Sequence, residues 1–156
     1  MADDLDEIDR KILEALQKNC RLSLAELADV AGLSASPCLR RWRRLEKDGY
    51  IGGYCAMLDA KRLGLSVMAI VTVKLTPHTE AVFSKFERAM IKSPEVLECV
   101  AVAGARDYQL RVVARDLEAY EDFVRKCIVK IGDFASIETA FVLANIKSTT
   151  ALPVRL

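Results

Sequence analysis

The spacing of apolar residues changes after Gly49, and this change divides the chain into two parts that fold differently. Before Gly49, apolar residues recur every three or four positions, which is the period of an amphipathic helix. From Val67 onward, apolar runs of strand length alternate with segments of helical spacing. A chain of 156 residues is long enough for two small domains with separate cores. We predict a first domain at 1–50, a strand and hinge at 51–63 and a second domain at 64–156.

The first fifty residues are predicted to form three helices. The apolar stripe of the first helix consists of Leu5, Ile8, Ile12 and Leu16. A second helix opens at Ser23, with Glu26 as its capping-box partner, and stops at Gly32. Ser34 is the predicted cap of a third helix, whose first turn contains Pro37. A helix, a short turn with glycine and a second helix form the outline of a helix-turn-helix motif.

The third helix carries an unusual concentration of positive charge. Cys38, Trp42 and Leu45 are spaced i, i+4, i+7 and are predicted to face the core. The arginines and Lys47 occupy the other directions, with Glu46 as the only acid in the run. A charged helix face is often merely solvated, but the second helix of this motif is the one that enters the DNA major groove. The predicted contacts to double-stranded DNA are Ser34, Ser36, Pro37, Arg40, Arg41, Arg43, Arg44 and Lys47.

The overall charge is compatible with this local basic face. The formal net charge is only +1, because acids between Met1 and Asp9 and in the second half offset the basic helix. The local field of a surface, rather than the net charge, steers association with DNA.

The second half reads as two successive β-α-β units. Predicted strands at 67–75, 95–103, 108–114 and 135–147 alternate with predicted helices at 80–92 and 116–132. This order is the ferredoxin-like βαββαβ arrangement, so the whole chain is assigned to the α+β class. Two helices on one side of the sheet leave the other side bare. We expect that side to carry Val, Ile, Leu and Phe and to be covered by a second copy, giving a homodimer that binds an inverted-repeat operator.

Several segments together resemble the leucine-responsive/asparagine-responsive (Lrp/AsnC, or feast/famine) transcriptional regulators. The similarity extends over essentially the whole chain and is carried by "LDEIDRKIL", "LAELADVAGLS", "SPCLRR", "RRLEKDGYI" and "IKSTTALP". The resemblance implies a winged helix-turn-helix head and a ferredoxin-like domain for ligand binding and oligomerisation. It also implies dimers that assemble further, often into octamers, and regulation by a small effector, usually an amino acid.

The same resemblance implies an effector site around the turn that links the two β-α-β halves. Members commonly have glycine, an acidic or polar residue, any residue and then Asp-Tyr, and the matching segment here is "GARDY". Asp107 is expected to pair with an α-ammonium and Tyr108 to wall the site, whereas Ala105 and Arg106 depart from the pattern. The alternative is an ordinary hairpin turn in which the aspartate side chain hydrogen-bonds to the backbone of its own turn. The expected effector residues are Val102, Ala103, Gly104, Ala105, Arg106, Asp107, Tyr108, Thr139 and Phe141.

Composition excludes several classes of protein. With 52% hydrophobic and 29% charged residues, the chain has the balance of a globular protein rather than a disordered one. No apolar run reaches the roughly 18 residues needed to span a bilayer, and the acidic start is unlike a secretory signal. We therefore expect a cytoplasmic protein with no membrane partner.

Cysteine and histidine usage argues against metal binding and catalysis. Five widely spaced cysteines with no CxxC pair and a single histidine predict reduced, mostly structural thiols, with no metal site and no cofactor. The chain is not predicted to be an enzyme, because His78, Cys99 and Cys127 form no visible nucleophile–base pair. The alternative function is a redox-sensing repressor acting through Cys38, whose arginine neighbours could lower its pKa. Its apolar register favours burial instead.

Overall fold

The computed structural model describes residues 5–154 and separates into two compact units. The head unit contains the chain up to Met57 together with the C-terminal segment from Lys147, and the sheet unit is Leu58–Ile146. This division differs from the expected domain at 64–156, because the C-terminal segment groups with the head. Asp3 and Asp4, which contribute to the acidic N-terminus, lie outside the described residues. Within residues 5–154, no helix is both long enough and apolar enough to cross a membrane.

Three helices form the head unit, as predicted. They are α1 (Glu7–Lys18), α2 (Leu24–Ala31) and α3 (Ala35–Lys47). Ser23 and Glu26 form the expected capping box, and Gly32 ends α2 in the left-handed region at φ 70°. The side chains that pack the helices together are buried; they are Ile12, Leu13, Leu16, Leu27, Ala28, Ala31, Cys38 and Leu45.

The segment after α3 contains no strand, so the strand predicted there is wrong. Residues 51–58 have no regular secondary structure and no ladder partner within the described chain. A strand needs a hydrogen-bonded neighbour, and the pair Gly52 and Gly53 further weakens strand propensity. The C-terminal segment packs on the head instead. The Gln17 side-chain amide donates to the carbonyl of Leu152 and accepts from its N–H, while Val154 packs against the head core.

The sheet unit has the predicted βαββαβ order. Its elements are β1 (Val67–Leu75), α4 (Glu80–Lys92), β2 (Val96–Ala101), β3 (Tyr108–Ala114), α5 (Leu117–Phe123) and β4 (Phe134–Phe141). The four strands are antiparallel in the order β2-β3-β1-β4. Helix α5 continues into a π-helical turn at Val124–Ile128 and a 3-10 turn at Val129–Ile131. Strand β4 ends at Phe141, six residues before its predicted end.

The core of the sheet unit lies between one face of the sheet and the two helices. Val71, Val73 and Leu110 of the strands are fully buried there against Phe86 of α4 and Phe123 of α5. The other face is more polar than expected. By alternation it carries Met68, Ile70, Thr72, Gln109, Arg111, Val113, Glu138 and Ala140, together with Glu98 and Val100 of β2. The Leu and Phe residues of β1, β3 and β4 lie on the helix side, because long apolar runs do not reveal which alternate residues face the core.

Candidate DNA-binding helix and effector turn

Helix α3 presents one face to the head core and the opposite face to solvent. Cys38 and Leu45 are fully buried, which confirms the predicted inward register. The residues directly opposite are spaced i, i+4, i+7, i+11 and are all exposed. We call them the outward stripe; they are Ser36, Arg40, Arg43 and Lys47. Among residues 5–154, no carboxylate lies within 4.0 Å of the three cations of this stripe.

The two remaining arginines of α3 are engaged by acids of α1. Arg41 donates to Asp6 Oδ2 at 2.6 Å and to Asp9 Oδ1 at 3.0 Å, and Arg44 donates to Asp9 Oδ2. The hydrogen bonds from Arg41 to Asp6 and Asp9 raise the pKa of that guanidinium. Arg41 and Arg44 therefore already contact carboxylates of their own chain, although both side chains remain partly exposed. Their acidic partners were visible in the sequence only as first-turn acids suited to the α1 dipole.

The start of α3 leaves hydroxyl groups unused. Ser34 occupies the N-cap position, but its side chain makes no capping hydrogen bond. The third helical residue, which normally offers its N–H to such a cap, is Pro37 and has no N–H. Ser34 and Ser36 are both exposed, and Pro37 is half-buried. The first turn therefore combines free hydroxyl groups with the positive end of the helix dipole.

Trp42 anchors the segment that follows α3 rather than facing solvent. It is half-buried against the head core, as its register predicts. Its indole N–H donates to Tyr54 Oη at 2.6 Å, and Tyr54 in turn donates to Glu46 Oε1 at 2.9 Å. The only acid within the basic run is thus bound by a tyrosine on the side of α3 away from Arg41 and Arg44. Tyr54 was not singled out from the sequence, because its partners are eight and twelve residues away in a segment without periodic structure.

The turn between β2 and β3 is held by Asp107. Gly104 adopts φ 134°, and the N–H of Val102 donates to the carbonyl of Asp107 at 2.9 Å. The Asp107 carboxylate accepts the N–H of Leu75 at 2.7 Å and lies 3.2 Å from Nε2 of His78. Asp107 therefore caps the end of β1 rather than its own turn. His78 lies beside it with half of its side chain exposed.

The other predicted effector residues point in different directions. Arg106 pairs with Glu138 of β4, and Tyr108 is buried against Phe86 with ring centroids 4.8 Å apart. The Tyr108 hydroxyl donates to Glu87 at 2.6 Å, and burial raises its pKa. Tyr108 is therefore buried in the core of the sheet unit.

Thr139 and Phe141 lie on the helix side of β4. Thr139 Oγ1 is 2.6 Å from the hydroxyl of Tyr120, and the ring of Phe141 packs edge-on against the same tyrosine. Val102, Ala103, Gly104 and Ala105 are exposed in the turn itself. The predicted set thus includes a compact turn at 102–107 and two strand residues on the helix side.

Comparison with known proteins agrees with both units. A winged helix-turn-helix DNA-binding family matches residues 5–51, and the Lrp/AsnC ligand binding domain family matches residues 68–152. The chain belongs to the Lrp/AsnC family. Members of this family are DNA-binding transcriptional regulators, not enzymes, and this protein is accordingly a DNA-binding transcriptional regulator with a ligand-binding domain.

Individual Lrp/AsnC relatives match over nearly the whole chain. The Bkd operon transcriptional regulator of Pseudomonas aeruginosa is 42% identical over 150 residues, covering 96% of this chain and 99% of the relative. The leucine-responsive regulatory protein of Escherichia coli is 37% identical over 152 residues, covering 97% and 93%. A Neisseria meningitidis transcriptional regulator in complex with L-Met has a TM-score of 0.92 at 37% identity, covering 96% of both chains. Escherichia coli AsnC has a TM-score of 0.86 at 28% identity, covering 96% and 99%.

The redox alternative gains no support from these Lrp/AsnC relatives. Cys38 is fully buried, and burial raises the pKa of its thiol. A buried protonated thiol is a poor nucleophile toward oxidants. Cys20, Cys55 and Cys99 are exposed free thiols, so fewer of the cysteines are buried than expected.

Proposed function

We propose that the regulator binds duplex DNA through the outward stripe of α3. The observation that carries this proposal is the alignment of Arg40, Arg43 and Lys47 on the exposed side of a helix whose opposite side is buried in the head core. A helix supported in this way can enter a major groove without exposing apolar surface.

The residue types of the stripe suggest separate roles in binding. The guanidinium groups of Arg40 and Arg43 suit bidentate hydrogen bonding to guanine O6 and N7, and Lys47 suits a phosphate. Ser34, Ser36 and the free N–H groups at the start of α3 provide a second place for a phosphate. Pro37 supports this contact indirectly, because it leaves the Ser34 hydroxyl without its usual intrahelical donor.

We further propose an amino acid as the effector, bound at the turn 102–107. The chain has a ligand-binding domain of the family, and a similar regulator was crystallised with L-Met. Asp107 supplies a carboxylate for an α-ammonium, which would compete with His78 for the same oxygen. Arg106 is free to meet an effector carboxylate only if it leaves Glu138.

The proposed active form is a homodimer, which assembles further into an oligomer such as an octamer. The bare sheet face supports this proposal through Met68, Ile70 and Val100, which are apolar, lie on the side away from the helices and are not buried within the described chain. A two-fold dimer presents two α3 helices, so its operator is expected to be an inverted repeat. The site of action is the cytoplasm, where the proposed DNA partner is found.

Selection of bound duplexes from a random-sequence library tests the DNA-binding proposal. We expect enrichment of an inverted repeat whose half-sites are separated by about 10 base pairs or a multiple of it. Enrichment of no sequence, or of an asymmetric one, would contradict the proposed mode of binding. Sedimentation of the protein with and without the selected duplex measures the oligomer.

A thermal-shift screen of the twenty amino acids tests the effector proposal. A ligand that binds only the folded protein raises Tm in proportion to the logarithm of its excess over Kd. We expect a small set of related amino acids to raise Tm. The corresponding amino-acid amides lack the carboxylate and are expected to raise Tm less. No shift with any amino acid would contradict the proposal.

A further inference from the structure

Asp9 of α1 is a buried carboxylate placed beneath the cationic helix. Its side chain is 1% exposed, and it accepts the backbone N–H of Asp6 at 3.2 Å in a capping box. In a capping box the side chain at this position accepts one N–H, that of the N-cap residue, and this single bond does not require further partners. Burying a carboxylate is costly unless cations and donors surround it. Arg41 and Arg44 provide those partners, so the position of Asp9 is linked to α3.

The contacts of Asp9 divide the cations of α3 into two groups. Arg41 and Arg44 lie on the flank beside α1, and their two positive charges are offset by Asp6 and Asp9. The outward stripe has no comparable partner within residues 5–154. Arg41 and Arg44 still expose 27% and 44% of their side chains. Releasing Arg44 therefore requires only the loss of Asp9, without unfolding of the helix, whereas Arg41 is also held by Asp6.

We propose that Asp9 is a positioning residue that withholds Arg41 and Arg44 from DNA phosphates. The inference rests on the proposed role of α3 in DNA binding. Phosphate contacts strengthen binding to any duplex, whereas contacts to base edges discriminate between sequences. By holding two arginines at the flank, Asp9 confines contact to the outward stripe and keeps affinity for unrelated DNA low. Only part of the positive charge carried by α3 is thus available to DNA.

The salt dependence of DNA affinity separates this role from a merely structural one. The slope of log K against log salt concentration changes by about 0.9 for each phosphate neutralised on duplex DNA. Asp9→Asn is expected to steepen this slope by roughly one, because it frees Arg44 while Asp6 still holds Arg41, and to lower the ratio of operator to random-duplex affinity. The matched control is Glu14→Gln, which removes an equal charge from the same helix and only breaks an exposed pair with Arg10. A merely structural Asp9 would lower Tm and leave the slope unchanged.

Two further variants complete the experiment. In the parent protein, Lys47→Gln, which removes the proposed phosphate contact of the stripe, is expected to reduce the slope by about 0.9, whereas Arg44→Gln leaves it unchanged. In the Asp9→Asn background, Arg44→Gln is expected to reduce the slope, because the guanidinium then reaches a phosphate. If Arg44→Gln in the parent protein makes the slope of log K against log salt concentration shallower, the inference is overturned, even if Asp9→Asn does not fold. An unchanged or shallower slope in folded Asp9→Asn overturns it as well. If Lys47→Gln leaves the slope unchanged, and Arg40→Gln and Arg43→Gln leave the operator affinity unchanged, the proposed function of the stripe fails instead.

Discussion

Helix α3 and the turn 102–107 differ in whether residues close in the sequence place their side chains on one common surface. On α3, residues 36, 40, 43 and 47 form one exposed stripe, as the helical period requires. At the turn, the side chains of adjacent residues point in different directions and contact different elements. Arg106 reaches Glu138 across the sheet, Asp107 caps the end of β1, and Tyr108 enters the core beside Phe86.

This difference shows which kind of site can be inferred from local pattern. A helix imposes one geometry on all its side chains, so a single buried residue determines the direction of the others. A turn in a sheet has no such period, and its side chains meet partners from segments 21 to 32 residues away. The tertiary structure therefore determines which residue each charged side chain of the turn contacts.

The largest effect that tests this comparison is expected from Arg40→Ala with Arg43→Ala. Loss of one base-contacting arginine costs about 1–3 kcal/mol, or about five- to 150-fold in affinity, and two losses combine. Fluorescence anisotropy with the selected operator measures the change. The control is Arg115→Ala with Arg125→Ala, which removes the same charge from exposed pairs of the sheet unit. Equal losses in both double variants would mean that only net charge matters.

The next effect separates the two roles of Asp107. Asp107→Ala leaves the Leu75 N–H without its acceptor and is expected to lower the free energy of unfolding by about 1–3 kcal/mol. Asp107→Asn keeps an acceptor oxygen and is expected to cost less. Both variants are expected to lose the thermal shift caused by the effector, because neither offers a carboxylate to its ammonium. A retained shift in Asp107→Asn would refute the assignment of the site. Asp133→Asn, which weakens an exposed pair with Lys85, is the control.

A smaller effect is expected from Arg106→Gln. The Arg106–Glu138 pair is partly exposed, so its loss is expected to cost about 1 kcal/mol or less in urea denaturation at low salt. The cost should shrink further at high salt, because ions screen exposed pairs. Arg125→Gln, which breaks the exposed pair with Glu121, provides the reference value. A cost of several kcal/mol, insensitive to salt, would show that Arg106 has a structural role that this pair does not explain.

The smallest effect is expected at Cys38, on the inner side of the recognition helix. Because burial raises its pKa above the ordinary value of 9.0, the folded state favours the protonated thiol. This preference contributes to stability below pH 9 and is lost as pH rises through the higher folded pKa. At neutral pH, we expect hydrogen peroxide to leave the DNA affinity of the parent and of Cys38→Ser unchanged. A loss of affinity in the parent alone would revive the redox alternative.

Much of the fold could be predicted because it depends on short-range regularities. The capping box at Ser23, the left-handed Gly32 and the inward register of Cys38 and Leu45 all follow from chemistry within one or two helical turns. The βαββαβ order likewise follows from the alternation of apolar runs and helical spacing. The failed predictions, such as the strand at 50–58 and the end of β4, concern pairing with distant segments.

The sequence by itself determined that α3 is basic, amphipathic and the second helix of a helix-turn-helix motif. Only the tertiary structure decided which of its cations remain available, because Asp6 and Asp9 reach Arg41 and Arg44 from a helix more than 30 residues earlier. The same applies to Asp107, whose partners Leu75 and His78 lie at the end of another strand. Local periodicity sets the direction of a side chain, but the partner of a charge depends on how the elements pack.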